Sequence, residues 1–271
     1  MFQEVINQVE KSMHSSVDDY VKDGLLYCGK CNTPKQKYVA TFKKNMPIMC
    51  DCKKEEIKQQ EDDFKKLKKK NEIRSLRESC LMGEKYRSAT FDNTETKHST
   101  EFAVIYNRCK KYCTVADAVL SNGTGIYLFG TNGTGKSWLT ACMGNELMNN
   151  FYTVLYTNFA DISKKILTTN EDFINRLAKI DFLFVDDFGT EKVVNGNEDK
   201  WLQEIVFEVI NKRYIENKPI IFTSNYSLQE LIKDRGMAKR TVDRIMEMCE
   251  VMRLDGVSYR VTKMKQREKL F

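Results

Sequence analysis

An α/β fold with a parallel sheet, preceded by a small cysteine-bearing module, follows from three observations. Short apolar runs at Ile126 to Phe129, Thr153 to Thr157, Ile180 to Val185 and Pro219 to Thr223 alternate with helical stretches. That is the pattern of parallel strands joined by crossover helices. The first of these runs breaks into Gly130-x-x-x-x-Gly135-Lys136-Ser137, and the third ends in Asp186-Asp187. Far ahead of them, Cys28-x-x-Cys31 and Cys50-x-Cys52 are separated by eighteen residues.

Length and composition bound the rest. A chain of 271 residues holds one domain of about 170 residues plus something smaller. The expected division is an N-terminal module over 1–52, a charged helical linker over 53–80 and the main domain over 81–271. No apolar run reaches the roughly 18 residues of a membrane span, and the first residues do not form a signal peptide. The expectation is a soluble, cytoplasmic protein. In such a reducing compartment nine cysteines do not make a disulfide framework, so clustered ones become metal candidates. A net charge of +6 is compatible with a nucleic-acid partner but does not require one.

Taken in order, residues 1 to 23 carry Val5, Ile6, Val9, Met13 and Val17 at helical spacing, which predicts a short amphipathic helix. The two cysteine pairs follow, with Tyr38 to Phe42 readable as a short strand between them. Two pairs brought together by a hairpin offer the four thiolates that zinc prefers, although Cys50-x-Cys52 is one residue shorter than the usual gap. A redox Cys-x-x-Cys is the other reading, but the strand-helix context of such motifs is missing. Residues 53 to 79 are dense in Lys, Glu and Gln around Ile57, Phe64, Leu67, Ile73 and Leu76. This is a solvated connecting helix, either a plain linker or an arm that skims a nucleic acid.

In the main domain, Phe102 to Leu120, Trp138 to Phe151, Phe159 to Leu167, Glu171 to Ala178 and Trp201 to Glu216 read as helices. The glycines after Phe129 let backbone amides turn inward around a triphosphate, and the next helix presents its N-terminus to the same anion. Lys136 would neutralise the β- and γ-phosphates, and the Ser137 hydroxyl would ligate Mg²⁺. Asp186 and Asp187 stand at the C-terminal edge of a core strand, where open α/β sheets bind ligands. Asp186 would hold the Mg²⁺ hydration shell and Asp187 would polarise the attacking water. Asn225, ending Thr223-Ser-Asn, can place an amide beside the γ-phosphate. A basic helix spans Arg235 to Cys249, and Gly256-Val-Ser-Tyr-Arg260 follows.

The order of these segments resembles the AAA+ ATPases, and within them the DnaC/DnaI-type replicative helicase loaders of bacteria and their phages. The resemblance runs from about Cys28 to Arg260. Its sharper elements are the cysteine module, Tyr86-Arg-x-Ala-Thr-Phe91, Val185-Asp-Asp-Phe-Gly189, Thr223-Ser-Asn225, Asp243-Arg-Ile-Met246 and Gly256-Val-Ser-Tyr-Arg260. It implies an AAA+ P-loop NTPase core without the helical C-terminal lid, since eleven residues follow Arg260. Gly130, Thr131, Asn132, Gly133, Thr134, Gly135, Lys136 and Ser137 match the ATP cradle, Asp186-Asp187 the acidic strand end, and Asn225 the first sensor. By the same resemblance Arg244 is an arginine finger acting on a neighbouring subunit's nucleotide, and Arg260 is the second sensor. The stretch to Phe91 would border the adenine. Phe159, Lys164 and Lys165 would face single-stranded DNA, with Phe159 equally readable as a core residue.

The function so implied is an ATP-dependent loader that grips a hexameric replicative helicase through its zinc module, binds single-stranded DNA and self-associates through its ATPase domain. Aspartate at position 187, where many relatives have glutamate, implies slow turnover. The alternatives are a transposase-helper ATPase and a nucleotide-dependent zinc scaffold with negligible hydrolysis.

Overall fold

The computed structural model describes residues 18–79, 84–96, 99–168, 172–190, 197–259 and 261. The chain divides into two units, one ending at Lys68 and the other starting at Lys69, within the charged helix.

In the first unit, β1 (Tyr20–Lys22) pairs antiparallel with β2 (Leu25–Tyr27). The two residues between them, Asp23 and Gly24, have φ of 51° and 73°. Asp-Gly with both residues left-handed is the two-residue hairpin turn whose twist matches the flanking strands. This corrects the helix expected up to residue 23: positions 20 to 22 are extended, and positions 1 to 17 lie outside the described residues. A second hairpin joins β3 (Gln36–Val39) to β4 (Lys44–Pro47). Here the strand expected over Tyr38 to Phe42 stops at Val39, because Ala40–Phe42 winds into a 3₁₀ turn closed by Lys43 at φ 49°. Helix α1 (Asp51–Ser79) then runs as the expected charged helix, with Phe64 and Leu67 exposed.

The second unit opens with α2 (Glu84–Arg87), α3 (Thr100–Thr114) and α4 (Ala116–Asn122). The single helix expected from Phe102 to Leu120 is thus two, broken at Val115, where ψ turns to 28°. The sheet is built from β5 (Gly125–Phe129), β6 (Val154–Thr157), β7 (Phe182–Phe188), β8 (Ile220–Ser224) and β9 (Cys249–Arg253). Its order is β6-β7-β8-β5-β9 and every pairing is parallel. Between the strands come α5 (Lys136–Asn149), α6 (Phe159–Thr168), α7 (Asp172–Lys179), α8 (Asn197–Ile215), α9 (Leu228–Lys233) and α10 (Lys239–Met248). After β5 the chain departs to the far edge, and β9 later pairs on β5's other side. The strand order therefore reverses beside β5, and a crevice opens at its carboxyl end.

Two elements went unread in the sequence. The basic stretch from Arg235 to Cys249 is not one helix: Gly236 at φ 63° closes α9, helix resumes at Lys239, and Cys249 is already strand. Helix α9 starts on a capping box, Ser227 with Glu230, which is visible as Ser-x-x-Glu.

The core consists of strands apolar on both faces. Ile126, Tyr127 and Leu128 of β5, Phe182 to Val185 of β7 and Ile220 to Phe222 of β8 are all buried. Among them sits Arg213, at 0 % exposure, its guanidinium donating to the carbonyls of Leu177, Ile180, Asp181 and Pro219 at 2.5–3.0 Å. Two of those carbonyls belong to the end of α7 or just beyond it, so the arginine fastens α7 to β7 and β8. Burial pulls its pKa down to about 9. Replacing Arg213 with Met would strand four buried acceptors, and urea denaturation should show a loss of roughly 3 kcal/mol. A loss below the error of the measurement would show that the carbonyls find other donors.

Candidate nucleotide-binding site

The loop after β5 is shaped by three glycines in the left-handed region. Gly130, Gly133 and Gly135 have φ of 143°, 81° and 101°. Side chains are excluded there by space as well as by torsion. A Cβ at Gly130 would stand 2.1 Å from the Leu254 carbonyl oxygen, one at Gly133 would stand 2.1 Å from Ser258 Oγ, and one at Gly135 would stand 2.9 Å from the Phe102 ring. Lys136, 6 % exposed, begins α5 and turns its ammonium back into the loop. It donates to the carbonyls of Gly130 and Thr131 at 2.8 Å each and to Asn225 Oδ1 at 3.0 Å. Three acceptors for three N–H donors make a cationic centre that a triphosphate could take over.

The segment after β9 braces this loop from outside, a role that the sequence reading did not assign. Leu254 N donates to Phe129 O at 2.8 Å, Thr131 N to Asp255 Oδ1 at 3.1 Å, and Tyr259 N to Gly133 O at 2.9 Å. The Thr134 hydroxyl donates to Leu254 O at 3.2 Å. The available signal was Asp255-Gly256, a polar turn directly after an apolar run.

The three residues at the end of β8 each make a different tie. Asn225 reaches Lys136. Ser224 Oγ donates to Phe188 O at 2.7 Å, and its carbonyl accepts from Gly130 N at 3.2 Å. The Thr223 hydroxyl donates to Asp186 Oδ1 and accepts from Asp187 N at 3.0 Å. The β7–β8 register shifts between Val185 and Phe188, and Asp187 has φ 52°. That bulge leaves Asp186 half-buried and Asp187 exposed. Tyr156 is buried with its hydroxyl 3.1 Å from Thr140 Oγ1 and 3.5 Å from Ser137 O. Burial and the nearby Asp186 carboxylate hold its phenol well above the usual range. The Tyr156 phenol thus neighbours both the Ser137 backbone carbonyl at the start of α5 and the Asp186 carboxylate at the end of β7.

Other expected residues fall elsewhere. Phe91 is buried, its ring edge-on to Tyr106 at 5.4 Å and its carbonyl accepting from the Tyr106 hydroxyl. Nearby, Asn145 Nδ2 donates to the carbonyls of Tyr86 and Ala89, so α5 fixes the strip from Tyr86 to Phe91. Phe159 is fully buried, 5.5 Å from the Phe188 ring. It is a core residue and offers no face for a base, which corrects the DNA-stacking expectation: the first helical residue after β6 points into the sheet. Lys164 is exposed, and Lys165 lies 5.6 Å from the Phe173 ring. Arg244 stacks over Tyr214 at 4.4 Å on the α8–α10 surface. Arg260 lies outside the described residues.

In the first unit, Cys28, Cys31, Cys50 and Cys52 converge, all four sulfurs lying within 4.8 Å of one another. A tetrahedral zinc with Zn–S of about 2.3 Å needs sulfurs roughly 3.8 Å apart. Here Cys52 Sγ is 3.6 Å from Cys28 Sγ and 3.4 Å from Cys50 Sγ, so the set fits. Cys31 and Cys52 are shifted in opposite directions. The Thr33 hydroxyl and the Cys52 backbone hold Cys31 down to about 5, while hydrogen bonds with Cys50 and Cys31 push Cys52 up to about 12. A divalent cation is what would allow all four to ionise.

A glycine-shaped loop after β5, an acidic pair on β7 and an amide at the end of the intervening β8 define an AAA+ type P-loop nucleotide-binding domain. The family model for IstB-like ATP binding proteins matches residues 62–268, and the chain belongs to that family. The replicative helicase loader DnaI of Bacillus subtilis is 26% identical over 220 residues, covering 72% of this chain and 66% of its own. A putative insertion sequence ATP-binding protein of Sinorhizobium fredii is 32% identical over 152 residues, covering 53% of this chain and 49% of its own. The chain therefore spans between about half and two thirds of the length of these curated relatives. Among solved structures, a putative primosome component from Streptococcus pyogenes matches with TM-score 0.55 at 21% identity, over 66% of this chain and 92% of that one. At that identity the likeness shows the fold alone. Among the described residues, no helix is long and apolar enough to cross a membrane.

Two outcomes are expected. Lys136→Ala should abolish ATP binding in a fluorescence titration, and retained affinity would discredit the cradle. The pair Cys28→Ser and Cys31→Ser should remove one equivalent of zinc by elemental analysis while sparing nucleotide affinity. A wild-type chain carrying no zinc would end the metal reading.

Proposed function

We propose that this chain is an ATP-dependent loader that holds a hexameric replicative DNA helicase and delivers it onto single-stranded DNA. The observation that carries the ATPase half is the hydrogen bond from Lys136 to Asn225, with Asp186 anchored beside it by Thr223. In the proposed cycle, Lys136 leaves its loop carbonyls for the β- and γ-phosphates, and Asn225 is released to orient water. Asp187 accepts hydrogen bonding from that water. Mg²⁺, held through Ser137 and Asp186, would supply charge neutralisation across the phosphates.

Arg244 fits a role in trans. It is carried on α10, whose guanidinium groups stack on rings of α8, Arg240 over Phe207 at 4.2 Å and Arg244 over Tyr214 at 4.4 Å. A guanidinium supplied by a second copy would couple hydrolysis to assembly. Lys164 and Lys165 on α6 would meet DNA phosphates without the help of Phe159. The four-cysteine unit supports the loader half: it precedes the matched family region, so it is an added module suited to gripping a partner. Similarity to DnaI supports a helicase as that partner.

A transposase-helper ATPase is the second reading, favoured by the higher identity to the insertion-sequence protein. Both readings are tested together. ATP hydrolysis should rise with single-stranded DNA and fall by about 10³-fold in Arg244→Ala with ATP binding kept. The chain should co-purify with a hexameric helicase, and with the cysteine pair replaced it should not. Capture of a transposase instead would decide for the second reading, and DNA-independent hydrolysis unaffected at Arg244 would refute the trans finger.

A further inference from the structure

Thr223 is 1 % exposed, and its hydroxyl bonds to both members of the acidic pair on the neighbouring strand. An ionised carboxylate only accepts, so the hydroxyl proton must point at Asp186 Oδ1 and a lone pair is left for Asp187 N–H. One oxygen thus ties the side chain of the first acid to the backbone of the second.

That tie sits where the strand departs from regular geometry. Successive residues of a strand point to opposite faces, and the β7–β8 register slips between Val185 and Phe188. Asp187, at φ 52°, is in a conformation that costs a non-glycine residue about 1 kcal/mol or more unless its surroundings fix it. The Thr223 hydroxyl is a fixing group at that point. Serine or threonine satisfies the requirement; valine, with the same shape, satisfies neither bond.

We propose that Thr223 is a positioning residue for the metal-nucleotide step: its hydroxyl fixes the Asp186 carboxylate toward the cation site and holds the bulge that presents Asp187. Asn225, two residues on, addresses the phosphate side through Lys136, so β8 divides its polar end between the two halves of the substrate. This inference rests on the ATPase reading above.

The test is a titration of the full chain with a fluorescent ATP analogue, in Mg²⁺ and in chelator, for wild type, Thr223→Val, Thr223→Ala and Thr223→Ser. In Thr223→Val the gain in affinity that Mg²⁺ confers should shrink by about tenfold, the scale of lost outer-shell support at metal sites. Affinity in chelator should stay within about twofold of wild type, since Lys136 and the loop are untouched, and Thr223→Ser should restore the Mg²⁺ effect. Thr223→Ala, which introduces no clash, is judged by the same criterion, and thermal unfolding in chelator confirms that each variant is folded. Full Mg²⁺ dependence in the folded Val or Ala variant overturns the inference and leaves the ATPase reading standing. Equal losses in Mg²⁺ and in chelator overturn it as well, because a packing defect would act on both. A wild-type chain whose ATP binding ignores Mg²⁺ overturns both.

Discussion

Because β5 pairs in parallel with β8, and Phe129 stands opposite Ser224, the loop leaving one strand and the polar residues ending the other are delivered to the same edge of the sheet. Everything at the site depends on that register. A slip of one residue would turn Thr223 and Asn225 to the opposite faces and would separate Asn225 from Lys136. The register is held by strands apolar on both sides, with Tyr127, Phe188 and Phe222 packed ring against ring at 4.8–6.4 Å. The chemistry at the edge is therefore bound to the quality of packing beneath it.

A second constraint acts on the loop from outside. A phosphate cradle made of glycines has little conformational preference of its own, because glycine gives up more freedom on ordering than any other residue. Here the order comes from Leu254, Asp255 and Tyr259, which take up carbonyls and an amide of the loop. The Asp255 carboxylate also meets Arg253 Nε at 2.5 Å. The shape of the nucleotide site is in this way linked to β9 and to the chain immediately ahead of Arg260.

The cysteine unit obeys a different physics. Its two short hairpins expose Val21, Tyr38 and Phe42, so little apolar surface is removed from water to order the backbone. Small units of this kind rely on a staple, and four convergent thiols are the chemical means present. A metal ion on these thiols would supply the order that the sheet domain draws from its core.

Much of this was legible in the residues. Gly130 to Ser137 announced the loop, since only glycine tolerates the torsions and contacts found at 130, 133 and 135. The run ending in Asp186-Asp187 announced the acidic edge, and the alternation of apolar runs announced the parallel sheet. Asp23-Gly24 and the Ser227 capping box were equally readable signals that the helical reading of their neighbourhoods passed over. Strand β9 was not readable: Cys249 to Arg253 holds Glu and Arg among apolar residues and follows a helix directly, and it is a strand because β5 has an open edge there. Likewise nothing local distinguishes Phe159 as a core residue, Thr223 as a tie to the acidic pair, or Arg213 as a buried clamp on four carbonyls. The sequence by itself determined the residue types whose chemistry is local, namely glycine torsions, thiolates, carboxylates and the lysine. Tertiary structure alone decided which of them meet, because contacts between residues 89 or 124 positions apart are set by strand order and core packing and leave no mark on neighbouring residues.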